Sequence, residues 1–123
     1  MVAGRRRVEH TEQVKLVARV RAFYPGVIVA AIPNGGDRKA SERVSMHSEG
    51  VLRGMPDLCV LRASRGFHGL FVEMKTAEGV VAAAQRDIAK RLNDEGYLCL
   101  VARSCDEGWR IVQDYLGGSD GQA

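Results

Sequence analysis

Apolar residues recur along this chain with two different periods, and the switches between them mark out the elements. Leu16, Val17, Val20, Phe23 and Tyr24 share one stripe at helical spacing, which predicts a helix over residues 9–24, ended by Pro25-Gly26. Residues 27–32 are a continuous apolar run, a buried strand, followed by the turn signal Pro33-Asn34-Gly35-Gly36. Residues 37–50 are rich in charge and only loosely periodic, a weak helix. Residues 54–61 and 70–75, bounded by Gly and Pro, read as adjacent strands of a hairpin, with residues 62–69 too long a bridge for a tight turn. A loop over 76–81 leads to Gln85, Ile88, Ala89 and Leu92 at i, i+3, i+4 and i+7, a helix that stops at Gly96. Residues 97–102 form the last strand, and Ser104-x-x-Glu107 is a capping box opening a final helix with Trp109, Val112 and Leu116 on its stripe. This order predicts an α/β domain with a central mixed β-sheet flanked by α-helices. Residues 8–116 make up the domain, with 1–7 a loose basic arm and 117–123 a frayed tail.

Composition narrows the class. The 123 residues suffice for one domain with one core, and 46% hydrophobic with 27% charged content is ordinary for a globular protein. No apolar run approaches the ~20 residues of a membrane helix, and the early arginines lack the apolar stretch of a secretory signal. Cys59, Cys99 and Cys105 are odd in number without a CxxC spacing, which reads as reduced thiols in an intracellular, cytoplasmic protein and not as a zinc site. Net charge is +3, with 18 Lys and Arg, which favours a polyanionic partner. Arg5, Arg6 and Arg7 form one basic cluster, and Arg38, Lys39, Arg43 and Arg53 another. For any one of these residues a solvated surface is the simpler account.

The candidate chemistry lies in the hairpin. Residues two apart on a strand share a face, so Glu73 and Lys75 point the same way, about 7 Å apart, while Leu70, Val72 and Met74 point into a core. Asp57 opens the first strand, and the hairpin brings it beside Glu73. Two carboxylates ~4 Å apart repel by roughly 4 kcal/mol at an effective dielectric of ~20. A divalent metal reverses that repulsion, and hard oxygen ligands with room for water suit Mg²⁺ or Mn²⁺. Such an ion activates water and stabilises charge on a phosphate, and a lysine can orient the water, help deprotonate it or balance the phosphate. The alternative is a structural cluster in which Lys75 neutralises Glu73 and Asp57 caps a turn. Glu9 falls within about 20° of the centre of the first helix's apolar stripe, with Gln13 close by and Glu12 about 80° away. A carboxylate on that face needs a partner; favourable placement at a helix start is the other account of it. Gln85 is the polar misfit on its stripe, a satisfied core amide or a site residue. His10, His47 and His68 have no partners at a recognisable spacing and read as surface residues. Trp109 reads as core.

Pro56-Asp57, a gap of sixteen positions (73 − 57), and Glu73-Met74-Lys75 together resemble the PD-(D/E)XK nuclease signature. Glu9 with Gln13, Ile32-Pro33-Asn34-Gly35-Gly36, Gly54-x-Pro56-Asp57-Leu58, Phe71-Val72-Glu73-Met74-Lys75, Gln85 and Gly96-Tyr97 resemble its VRR-NUC branch in the expected order, over residues 9–116. The resemblance implies a restriction-endonuclease-like core that hydrolyses DNA phosphodiesters with Mg²⁺ or Mn²⁺. It implies metal ligation by Asp57, Glu73, the Met74 backbone carbonyl and Glu9, with Glu12 the fallback for Glu9. Lys75 would position or activate the water, and Gln85 would support it beside the metal. The loop at Asn34 borders the active site in the family. Asn34, Arg38, Lys39, Arg62 and Arg65 are the candidates for DNA contact. A chain this short resembles the stand-alone, virus-type or bacterial form, which is similar to Holliday-junction resolvases acting as homodimers. Action on flaps or linear duplex, and a catalytically inert or partner-dependent DNA-binding module, are the competing expectations. Neither a membrane nor a nucleotide cofactor is expected.

Overall fold

The computed structural model describes residues 2–33 and 48–117. The chain runs α1 (Val2–Phe23), β1 (Ile28–Ala31), β2 (Leu58–Leu61), β3 (Leu70–Met74), α2 (Ala83–Asp94), β4 (Leu98–Ala102) and α3 (Cys105–Gly117). The four strands form one mixed sheet in the order β1-β2-β3-β4, antiparallel in the first two pairings and parallel in the third. The weak helix expected over 37–50 falls mostly outside the described residues, and the tail at 118–123 wholly so. No helix of the described residues is long and apolar enough to cross a membrane.

Strand alternation sorts the sheet into two faces. Val29, Leu58, Val60, Leu70, Val72, Met74 and Ala102 lie in the core with Leu16 and Val20 of α1 and Val112, Tyr115 and Leu116 of α3. α1 and α3 therefore cover this face; of the predicted stripes, Leu16, Val20, Val112 and Leu116 are buried, Val17, Tyr24 and Trp109 partly so, and Phe23 is exposed. Trp109 packs against that core and meets Phe23 and Tyr24, with the Arg19 guanidinium over its ring. The opposite face carries Asp57, Cys59, Phe71, Glu73 and Cys99, and α2 lies beside β4 on this side.

Three expectations are corrected. Residues 2–7, expected as a loose arm, are the first turns of α1. Arginine is a good helix former, so three in succession do not oppose a helix. The bridge 62–69 is not a long open loop. Arg65 and Gly66 both take positive φ (54° and 84°), and Ser64 and Phe67 pair across them in a two-residue hairpin turn. The turn is then tied to the end of α3, where Ser64 Oγ donates to the Tyr115 carbonyl, Arg65 Nε to the Asp114 carbonyl (2.6 Å) and Tyr115 OH to the Arg62 carbonyl (2.6 Å). An arginine at these last carbonyls also complements the helix dipole. The cap of α3 also differs from a reciprocal box: Ser104 Oγ accepts from Glu107 N–H at 3.0 Å, but the Glu107 carboxylate reaches back to Arg103 N–H.

Glu12 has a structural task of its own. Its Oε1 accepts from Cys105 N–H at 2.8 Å, capping the first turn of α3 from across the layer, and its Oε2 pairs with Lys15 at 2.9 Å. The Cys105 amide holds the Glu12 carboxyl below its ordinary value, with Lys15 adding to the effect. Glu12→Ala is expected to lose about 1 kcal/mol in denaturant melts at neutral pH, as for loss of a helix cap. Because the folded value is depressed, this contribution is present above the ordinary 4.5 and is lost as pH falls through the folded value.

Candidate active site

Asp57 and Glu73 meet because of strand register. Leu58 pairs with Val72, and one step further the same register sets Asp57 opposite Glu73, with both side chains on the α2 face. Asp57 Oδ2 accepts the Met74 N–H at 2.7 Å, so the end of β3 clamps the acid that opens β2. Glu73 is buried, with 6% of its surface exposed. Its Oε2 accepts from Gln85 Nε2 at 2.9 Å and lies 3.8 Å from Lys75 Nζ. Gln85 sits in the first turn of α2, where its Oε1 accepts from Ala82 N–H at 2.8 Å. Its amide thus closes the helix start with one atom and holds Glu73 with the other, which explains a polar residue on that stripe.

Gly54 lets the Asp57 segment approach α2 this closely. Its φ is +95°, and a Cβ there would lie 2.5 Å from the Ala84 carbonyl oxygen. A side chain at position 54 is therefore both strained and blocked. Pro56, Gly54, Val81, Gln85, Ala89 and Cys99 line a small open pocket against Glu73. Cys99 is a site neighbour that the sequence reading left in the core. Burial, and then the Glu73 charge, push its thiol up to about 11. Strand parity was the available signal, because Cys99 lies two positions before Val101, the partner of Glu73.

The electrostatics of the pair are unfavourable. Burial pushes Glu73 up to about 8, with the Asp57 charge and the contact between the two carboxyls adding to it; Lys75 pulls it down, and Glu9 adds a smaller upward push. Asp57 is also raised by burial, against the opposing effect of the Met74 amide. The two acids titrate as a pair that retains a proton near neutral pH. A structural ion pair with Lys75 would instead hold Glu73 below its ordinary value.

The sequence candidates fall into four groups. Asp57, Glu73, Lys75 and Gln85 converge, and Glu9, half-buried on α1, is close enough for its charge to reach Glu73. Glu12 caps α3 instead. Arg62 and Arg65 lie at the other end of the hairpin, five residues along β2 from Asp57, or about 16 Å by strand rise. Asn34, Arg38 and Lys39 lie outside the described residues.

Asp57 and Glu73 are hard oxygen donors of the type a divalent ion takes. Among the described residues no three His, Cys, Asp or Glu side chains come together as a metal cluster. Magnesium commonly uses one or two carboxylates and keeps several waters. The hydrogen bonds to Met74 and Gln85 engage Asp57 Oδ2 and Glu73 Oε2, and Glu73 lines the pocket. A bound cation would also remove the cost of two buried acids facing each other.

An α/β sheet with an acidic pair, a lysine two residues on and a buttressing glutamine defines a nuclease-type fold. The VRR-NUC domain model matches residues 7–106, and the chain belongs to that family. A solved VRR_NUC domain protein is similar at 28% identity and a TM-score of 0.64, over 75% of this chain and 69% of its own. No curated protein matches the chain.

The titration has a direct consequence for stability without metal. Unfolded, Glu73 loses its proton near the ordinary 4.5; folded, it keeps it to about 8. The folded state holds the extra proton across that window, so stability falls as pH rises through it. In chelator-treated protein the thermal midpoint is expected to fall by several degrees from 4.5 to about 8. Glu73→Gln should flatten that slope and melt above the native protein at the alkaline end. A midpoint that rises over this window would contradict the buried, protonated acid.

Proposed function

We propose that the chain is a metal-dependent endonuclease that hydrolyses DNA phosphodiester bonds, acting as a homodimer on branched DNA. One observation supports it above the rest: half-buried Asp57 lies opposite buried Glu73, with Lys75 Nζ 3.8 Å from Glu73 and Gln85 holding the same oxygen. Mg²⁺ or Mn²⁺, held by Asp57, Glu73 and the Met74 carbonyl with Glu9 completing the shell, would polarise the phosphate and make bound water acidic. The protein's own groups do the rest. The Met74 amide fixes Asp57, and Gln85 fixes Glu73. Lys75 holds the attacking water and exchanges a proton with it, or balances charge on the phosphate. Selectivity for a four-way junction follows from symmetry, since two sites on a two-fold axis match two symmetric cuts. Three free cysteines suit a reducing, intracellular setting.

The test sets labelled four-way junction, flap, single strand and linear duplex side by side with Mg²⁺, Mn²⁺ or chelator. Metal-dependent, symmetric cutting of the junction is expected. Asp57→Ala, Glu73→Ala and Lys75→Ala should each lower cleavage by about 10²-fold or more with the fold retained by circular dichroism. Cutting that prefers flaps or duplex would keep the chemistry and discard the junction. Binding without cutting under either metal would favour an inert module.

A further inference from the structure

The connection between Lys75 and Gln85 is held from outside the site. Arg103, just beyond β4, donates from Nη1 to the carbonyls of Thr76 (2.8 Å), Ala77 (3.4 Å) and Gly79 (2.6 Å). Three carbonyl dipoles therefore converge on one guanidinium, an arrangement that repels itself without the cation. The far end of the connection is pinned by Arg86 Nη1 on the Val81 carbonyl at 2.7 Å. Gly79 is buried against the lysine stem: a Cβ on it would lie 3.4 Å from Lys75 Cδ and 3.1 Å from Thr76 Oγ1. The backbone of Lys75 is tied to the same strand end, with its N–H donating to the Ala102 carbonyl at 2.9 Å. The Arg103 N–H is in turn held by Glu107.

We infer that Arg103 is a positioning residue for Lys75: it pulls the 76–79 turn down on β4 so that Gly79 walls the lysine stem and aims its ammonium at Glu73. This rests on the nuclease reading of the site. An exposed arginine beside such a site would otherwise be assigned to DNA phosphate. The geometry gives it a further duty, because Nη1 is already shared among three carbonyls. Arginine suits the task better than lysine, since its planar fork stays charged and presents fixed donors.

The experiment measures Arg103→Ala and Arg103→Lys, alone and with Lys75→Ala. The readouts are single-turnover cleavage at saturating DNA, DNA affinity without metal, and amide hydrogen exchange at Gly79 in the metal-free protein. Arg103→Ala should slow cleavage by about tenfold or more, the scale expected for a displaced catalytic group. Its DNA affinity should stay within about threefold, and Arg103→Lys should recover part of the rate. In the Lys75→Ala background the substitution should add little, because both act through one group. Exchange at Gly79, whose N–H donates to the Thr76 carbonyl, should accelerate in Arg103→Ala. A loss confined to DNA affinity, a rate effect fully additive with Lys75→Ala, or unchanged Gly79 exchange would each overturn the role. Lys75→Ala cleaving at the native rate would overturn this role for Arg103, whereas a native chain that cuts none of the DNAs with either metal would overturn the nuclease reading itself.

Discussion

A buried glutamate and a half-buried aspartate set face to face at the ends of neighbouring strands are the constraint around which this molecule is arranged. Register places them, because Asp57 is one step beyond the Leu58–Val72 pair of the β2–β3 ladder, opposite Glu73. Each is then held by one oxygen: Asp57 by the Met74 amide, Glu73 by Gln85 and Lys75. These contacts orient the acids without neutralising them, and Glu73 remains pushed up to about 8. A fold selected for stability alone gains nothing from such a pair, since apolar residues of similar size would serve better. Strain of this kind concentrated at one point of a sheet is what a cation site needs before the cation arrives.

The hairpin divides the labour along its length. At one end the strands open onto α2, where Gly54 permits close approach to Ala84 and the pocket lies against Glu73. At the other, the turn at Arg65-Gly66 is bonded to the last turn of α3. The anchored end keeps the ladder in register, and the register keeps the acids opposed. Glu12 ties α1 to the start of α3, and Glu9, nearer the start of α1, adds a small upward push on Glu73.

Much of this was legible in the sequence. Strand parity put Glu73 and Lys75 on one face and the hairpin put Asp57 beside them, since both depend only on local periodicity. Gln85 stood out as a polar residue on an apolar stripe. What escaped were contacts made across the fold. Nothing near Glu12 in sequence announces Cys105, 93 positions away. Positive φ at Arg65 is a choice the tertiary ties enforce, and it turned an apparently long loop into a tight turn. Arg103 looked like any arginine after a strand, because its acceptors are backbone carbonyls, which no side-chain pattern encodes. The start of α1 was misjudged because charge density was weighed above the helix preference of arginine.

The most direct test of the central claim is calorimetric titration of chelator-stripped protein with Mn²⁺, beside Glu73→Gln. The account predicts saturable binding in the native chain that is lost or greatly weakened when the Glu73 carboxylate becomes an amide of the same shape. Equal binding by both proteins, or none by the native chain, would contradict the assignment of the buried pair as a metal site.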